Sequence, residues 1–334
     1  MMLRFVNRAS ELYTLLSLAE RGFYPVLYIY GPEGCGKTRL LREFLKDICG
    51  RRGFVVVYID ALESEDPRKA VMGSNEVYNA VAGLLAGYIG GGIGKAIASS
   101  ISRLVSEIAR GVGLRGKHVV VAVDDVAKVL GVNGVEVYMK NLLKLLEELL
   151  TSYGASTALV IATTSEGLSR DLVARHTYAS VAMIWNLSKD AFKELVKQLE
   201  PPSKDVAEDT WYLTSGNPRM LLEIAIGYRW ELGRWLRNLY ENRIRDVELR
   251  LGRDTVVEIA EDPDAIAKYP DIAEFLIDKN LVMKISPLLG GGVLKLDREM
   301  GIGRYYAGKP MPIRSSSSAD QLLRSTSMSR SAPA

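Results

Sequence analysis

The stretch "YIYGPEGCGKTRLL", Tyr28 to Leu41, decides how this chain is read. Residues 26–30 are a short run of β-branched and aromatic side chains that stops at Gly31, as a buried strand does. From Thr38 onward, Leu40, Leu41, Phe44, Leu45 and Ile48 fall on one face of a helix. Between strand and helix, Gly31, Gly36, Lys37 and Thr38 fit G-x-x-x-x-G-K-[ST]. Glycines at 31, 34 and 36 take Cβ atoms out of the path, so main-chain N–H groups can wrap closely around a polyphosphate. The helix that follows turns its free N–H groups and positive dipole end toward the same anion. The expected nucleotide-binding loop is therefore Gly31, Pro32, Glu33, Gly34, Cys35, Gly36, Lys37, Thr38 and Arg39. Lys37 suits the outer phosphates, and the Thr38 hydroxyl suits a Mg²⁺ ion.

Outward from the loop, strand-like runs at 54–60, 118–125, 157–165 and 178–185 alternate with helical stretches at 12–19, 75–110 and 138–150. That alternation predicts an α/β fold, a mostly parallel P-loop NTPase sheet covered on both faces. "HVVVAVDD" ends in Asp124 and Asp125, at the strand end where open parallel sheets bind ligands. Asp124 is the expected Mg²⁺ ligand beside Thr38, and Asp125 the group that polarises an attacking water.

Composition adds bounds. The 334 residues are 48% hydrophobic and 25% charged, with a net charge of +3, which points to no particular partner. The surplus lies at the end: from Gly303 on there are five Lys or Arg and one acid, Asp320. Cys35 and Cys49 bracket one predicted helix and are poorly placed to bridge, as in a reducing compartment. No signal peptide is read at the start, and a cytoplasmic location is expected. Residues 77–94 carry no charge but contain six glycines, so two helices joined by "GGGIG" are expected there rather than a membrane span.

"FVNRASEL" (Phe5–Leu12), "VVVAVDD" and "TSGNPRML" (Thr214–Leu221) together resemble the archaeal ATPase family within the STAND clade of AAA+-related P-loop NTPases, over about residues 5–225. The resemblance implies ATP or ADP with Mg²⁺ bound between the core and a helical lid. It implies Phe5, Val6 and Arg8 near the adenine, Pro218 against the base, and Arg219 reaching the γ-phosphate from the lid. It implies Thr164 as a polar sensor at the end of its strand. Arg175 would be an arginine finger acting on a neighbouring copy, with Arg170 as the alternative. Three positions depart from the pattern: Asn7 replaces a usual glycine, Asp125 is a methylene shorter than the common Glu, and Ser165 stands where some relatives carry arginine. Slow turnover follows as the expectation.

The expected organisation is an ATPase core at 1–186, a helical lid at 187–229, a winged-helix-like domain at 230–314 and a disordered tail at 315–334. In the third of these, "LVMKIS" and "VLKLD" are expected to pair as a hairpin across "GGG". No basic recognition helix stands out, so a regulatory module facing an unknown protein partner is favoured over DNA reading. The expected function is a Mg²⁺-dependent ATPase switch. The alternatives are a DNA-binding AAA+ protein of the replication-initiator type and a module that holds ATP or ADP without turnover.

Overall fold

The computed structural model describes residues 3–87, 92–165 and 167–308. Six strands form one sheet: β1 (Val26–Tyr30), β2 (Phe54–Asp60), β3 (Val71–Gly73), β4 (His118–Asp124), β5 (Thr157–Thr164) and β6 (Ala179–Met183). Their order is β3-β2-β4-β5-β1-β6. All neighbours are parallel except β3, which runs antiparallel to β2 at one edge. The sequence reading lacks β3, because three residues are too few to show a period.

Around the sheet lie α1 (Ala9–Arg21), α2 (Lys37–Ile48), α3 (Pro67–Ala70), α4 (Asn75–Leu85), α5 (Ile93–Ser99), α6 (Ile101–Gly111), α7 (Val126–Leu130), α8 (Val132–Thr151) and α9 (Gly167–Ala174). β4 shows how both faces are filled. Val119, Val121 and Val123 enter one apolar layer with α4, α5, α6 and α8, while Val120 and Ala122 enter the other with α1 and α2. A strand covered on both sides reads as an unbroken apolar run, which is why β4 was legible. α4 and α5 occupy most of the uncharged stretch; residues 88–91 of its glycine loop lie outside the described residues. Among the described residues no helix is long and apolar enough to cross a membrane.

After β6 the chain turns helical: α10 (Lys189–Lys197), α11 (Lys204–Thr214) and α12 (Pro218–Leu222), which continues through a π-turn at Glu223–Gly227. Ser188 and Ser203 cap α10 and α11 by accepting N–H bonds from Ala191 and Val206. Beyond them come α13 (Leu232–Leu239), α14 (Arg245–Leu251), α15 (Arg253–Glu261), α16 (Pro270–Asp278), β7 (Val282–Lys284) and β8 (Tyr306–Gly308).

The hairpin expected from "LVMKIS" and "VLKLD" does not form. β7 pairs antiparallel with β8 instead, Val282 opposite Gly308. The sheet edge takes the segment in between: Met183 N–H donates to Pro287 O at 2.8 Å and Leu289 N–H to Met183 O at 2.9 Å. This covers the open side of β6, an edge that would otherwise present unpaired groups. Met283, Met300, Ile302 and Ala307 complete the contact by packing on Tyr30, Met183 and Trp185. The tail expected to be disordered lies outside the described residues.

Candidate functional site

β1 is buried along its whole length and delivers the chain to Gly31 at the end of the sheet. A Cβ on Gly31 would lie 2.1 Å from the carbonyl oxygen of Ile184, just past β6, so only glycine fits. Gly34 and Gly36 take φ of +80° and +103°, the left-handed region that glycine enters without strain. The loop thus curls back to start α2 at Lys37. Lys37 is 7% exposed, and its ammonium donates to the carbonyls of Gly31 and Pro32 at 2.9 and 3.1 Å. Two of its three donors are used within the loop itself.

Above the loop opens a cavity of about 610 Å³. Its lining includes Glu33 through Arg39 of the loop, Asp125, Lys128 and Ser165 past the ends of β4 and β5, and Pro218, Arg219 and Leu222 of α12. Phe5, Val6, Leu187 and Leu195 form an apolar wall, Val6 being packed with Leu187 and Leu195 in one cluster. The cavity therefore joins a polar end at the loop to an apolar end at the helices after β6. Arg39 sits at the rim, exposed, bonded to Leu3 O and paired with Glu43.

Arg8 lines the cavity, but its guanidinium is engaged elsewhere. It donates to Cys35 O at 2.9 Å and to Trp185 O, and pairs with Glu11 at 2.8 Å. It braces the loop against the chain leaving β6. Burial works against ionising Glu11, yet the Arg8 guanidinium outweighs it and holds that carboxyl below its ordinary range. Asn7 and Arg8 both have positive φ, which fits the asparagine found where a glycine is usual.

The two acids differ sharply. Asp124 is buried, and its oxygens accept from the Tyr58 hydroxyl at 3.0 Å and from the Thr163 hydroxyl. Burial first, then the Asp124 charge, pushes the Tyr58 phenol far above its ordinary value, so it stays a donor. Asp125 adopts φ +53° and donates its N–H to Thr163 Oγ1 at 3.0 Å. Its Oδ1 is buried without a hydrogen-bond partner, as is the hydroxyl of Ser165. Burial, reinforced by Asp124, pushes the Asp125 carboxyl upward.

Thr164, the polar residue expected at the end of its strand, does not face the two acids. Thr164 turns its hydroxyl to Ser169 at 3.2 Å, whereas Thr163 meets both acids. Successive side chains of a strand face opposite sides, so only one of the two threonines can do so.

Arg219 reaches the loop. Its N–H donates to Gly34 O at 3.4 Å, and its Nη1 lies 3.0 Å from Glu33 Oε1. Asn217, absent from the sequence reading, caps α12 and donates to Glu33 O and Asn186 Oδ1, both at 3.0 Å. An asparagine directly before a proline and an apolar run is an N-cap signal that could have found it. Lys128, also missed, carries no motif of its own. Arg175 is exposed past α9, near the end of the sheet where β1 and β6 begin, away from the loop. Arg170 is not at the site either: it bonds Ser286 Oγ at 2.9 Å and Asp171 at 2.7 Å, tying α9 to the segment after β7. Cys35 and Cys49 are both free thiols.

Loop, acids and sheet order define a P-loop NTPase. The chain belongs to the family of ATPase domains predominantly from Archaea, matched over residues 5–224. The family expected from its motifs is thus the one found. It is similar to two uncharacterized ATP-binding proteins of Methanocaldococcus jannaschii, each 36% identical, over 61 and 58 residues. Those stretches are 18% and 17% of this chain and 16% of either relative's length. Similarity also extends to the Aeropyrum pernix ORC2 protein in ADPNP-ADP complexes (TM-score 0.45, 13% identity, 97% of this chain and 96% of that one). AMPPCP-bound DnaA from Aquifex aeolicus is similar at TM-score 0.42 and 14% identity, over 98% of this chain and 91% of that one.

Proposed function

We propose that the chain is a slow, Mg²⁺-dependent ATPase that works as a STAND-type nucleotide switch, holding ATP or ADP between its core and the lid at residues 187–229. The observation that carries this reading is that Lys37, Asp125 and Arg219, from the loop, the end of β4 and the lid, line one cavity. The description of the archaeal relatives as ATP-binding supports ATP as the nucleotide.

The apolar wall of Phe5, Val6, Leu187 and Leu195, together with Pro218, takes the base. The loop amides and Lys37 take the phosphates, with Lys37 exchanging carbonyl partners for phosphate oxygens. Asp125 orients the attacking water. Its raised proton affinity and unpartnered Oδ1 suit a group that accepts from water. Arg219 reads the γ-phosphate and moves with the lid. Arg175, turned away from its own cavity, acts only on a neighbouring copy. Among the described residues no three His, Cys, Asp or Glu side chains gather for a metal. That fits Mg²⁺, which is held by one or two protein oxygens, here Thr38 and Asp124, together with substrate phosphate. A bound Mg²⁺ would neutralise charge on the phosphates.

The test is to purify the protein, identify any nucleotide that accompanies it, and measure Mg-ATP binding and phosphate release. Wild type should bind and Lys37→Ala should not. A wild type that binds no nucleotide would end this reading. Binding without release at high protein concentration would favour the holding module, and DNA binding that falls steeply with salt the DNA-acting alternative.

A further inference from the structure

Glu33 occupies a loop position that the phosphate motif leaves free. Its Oε1 accepts from Lys128 Nζ and from Arg219 Nη1, both at 3.0 Å. Lys128 belongs to α7, three residues past Asp125, and Arg219 to α12. All three residues line the same cavity. The Glu33 side chain is 32% exposed, that of Lys128 27% and that of Arg219 58%, so the cluster lies where solvent reaches the cavity lining. Two cations from separate parts of the chain thus converge on a single anionic oxygen. A phosphate oxygen offers the same charge and the same acceptor geometry to both.

We propose that Glu33 is a positioning residue that stands in for the terminal phosphate of a nucleoside triphosphate, and that Lys128 is a second phosphate-binding cation beside Arg219. The proposal rests on the nucleotide site described above. Without nucleotide, the carboxylate keeps Lys128 and Arg219 together over the loop and holds α12 down. A triphosphate takes over both cations and frees the carboxylate. The exchange makes the site respond to the number of phosphates, because the ligand must outcompete an internal anion to recruit the lid. Neutralising Glu33 removes the competitor; removing Lys128 removes part of what is competed for.

The experiment measures affinities for Mg-ADP and for the Mg complex of the β,γ-imido ATP analogue by calorimetry, in wild type, Glu33→Gln and Lys128→Met. Glu33→Gln should raise the preference for the triphosphate over ADP by about threefold to tenfold, the range that two half-exposed ion pairs allow. Lys128→Met should lower that preference by a similar factor. Without nucleotide, amide hydrogen exchange in residues 218–222 should be faster in Glu33→Gln than in wild type. Equal shifts for both nucleotides in both variants would overturn the proposal while leaving the site intact. Failure of wild type to bind either nucleotide would remove the site, and this proposal with it.

Discussion

Asn217 Nδ2 donates to the main-chain carbonyl of Glu33 at 3.0 Å, while Asn217 Oδ1 accepts from the N–H groups of Arg219 and Met220. One buried side chain thereby starts α12 and ties it to the phosphate loop. The contact of the loop with α12 rests on this link more than on the ion pair of Glu33 with Arg219, which is half exposed and weak in water.

Asn217→Ala should therefore be costly for a single polar side chain. It removes a helix cap, about 1 kcal/mol, and leaves the Glu33 carbonyl and Asn186 short of a donor, about 1 kcal/mol more. The melting temperature should fall by about 5 °C, and hydrogen exchange should rise first in residues 214–224. Asn217→Asp keeps the cap and loses the donation to the Glu33 carbonyl, so it should recover helix protection but only part of the melting temperature.

Gly34→Ala tests the loop-to-lid contact by sterics. The added Cβ would stand 2.5 Å from Arg219 Cβ and 2.8 Å from Asn217 Oδ1, at a φ of +80°. α12 must lift or the loop must shift. Gly36→Ala is the control for backbone strain: its φ is +103° but no atom lies within 4 Å of the new Cβ. Limited proteolysis should cut between the core and α12 faster in Gly34→Ala than in Gly36→Ala.

Asp125 should weaken the fold above acidic pH. Its carboxyl titrates above the ordinary 3.8 because burial and Asp124 oppose its charge. A carboxyl raised on folding adds its cost as pH climbs from the unfolded value through the folded one, and none below. Asp125→Asn should hence raise the melting temperature at pH 7 and change it little near pH 3, while abolishing phosphate release. Calorimetric melts across that range check the sign.

Arg170→Ala should loosen the C-terminal module without touching the nucleotide cavity. The guanidinium bonds Ser286 through two nitrogens and pairs with Asp171, which in turn takes Lys284 at 2.6 Å. Hydrogen exchange should rise at residues 282–289 and stay unchanged at residues 31–38. Equal protection in both proteins would show that apolar packing of Met283 and Met300 suffices.

Much of the core was legible because its signals are local. A parallel strand buried on both faces is a run of apolar residues, and a phosphate loop is glycines, a lysine and a threonine in fixed order between strand and helix. β3 escaped because it is only three residues long, and the contacts of Thr163 with Asp124 and Asp125 escaped because they depend on the register of β5 with β4. Asp124 and Asp125 were found as a pair, but their different surroundings were not: Tyr58 and Thr163 satisfy the first, and nothing satisfies Oδ1 of the second.

By itself, then, the order of residues determined five of the six strands, the loop and the family, since hydrophobic period and glycine placement act over a few neighbours. Only the tertiary structure decided that the Pro287–Leu289 segment covers the β6 edge in place of a hairpin, and that Glu33 gathers Lys128 and Arg219. Those outcomes join residues about a hundred or more positions apart. They are settled by which distant donors and acceptors the packed chain as a whole brings together at lowest free energy, and no local pattern records that competition.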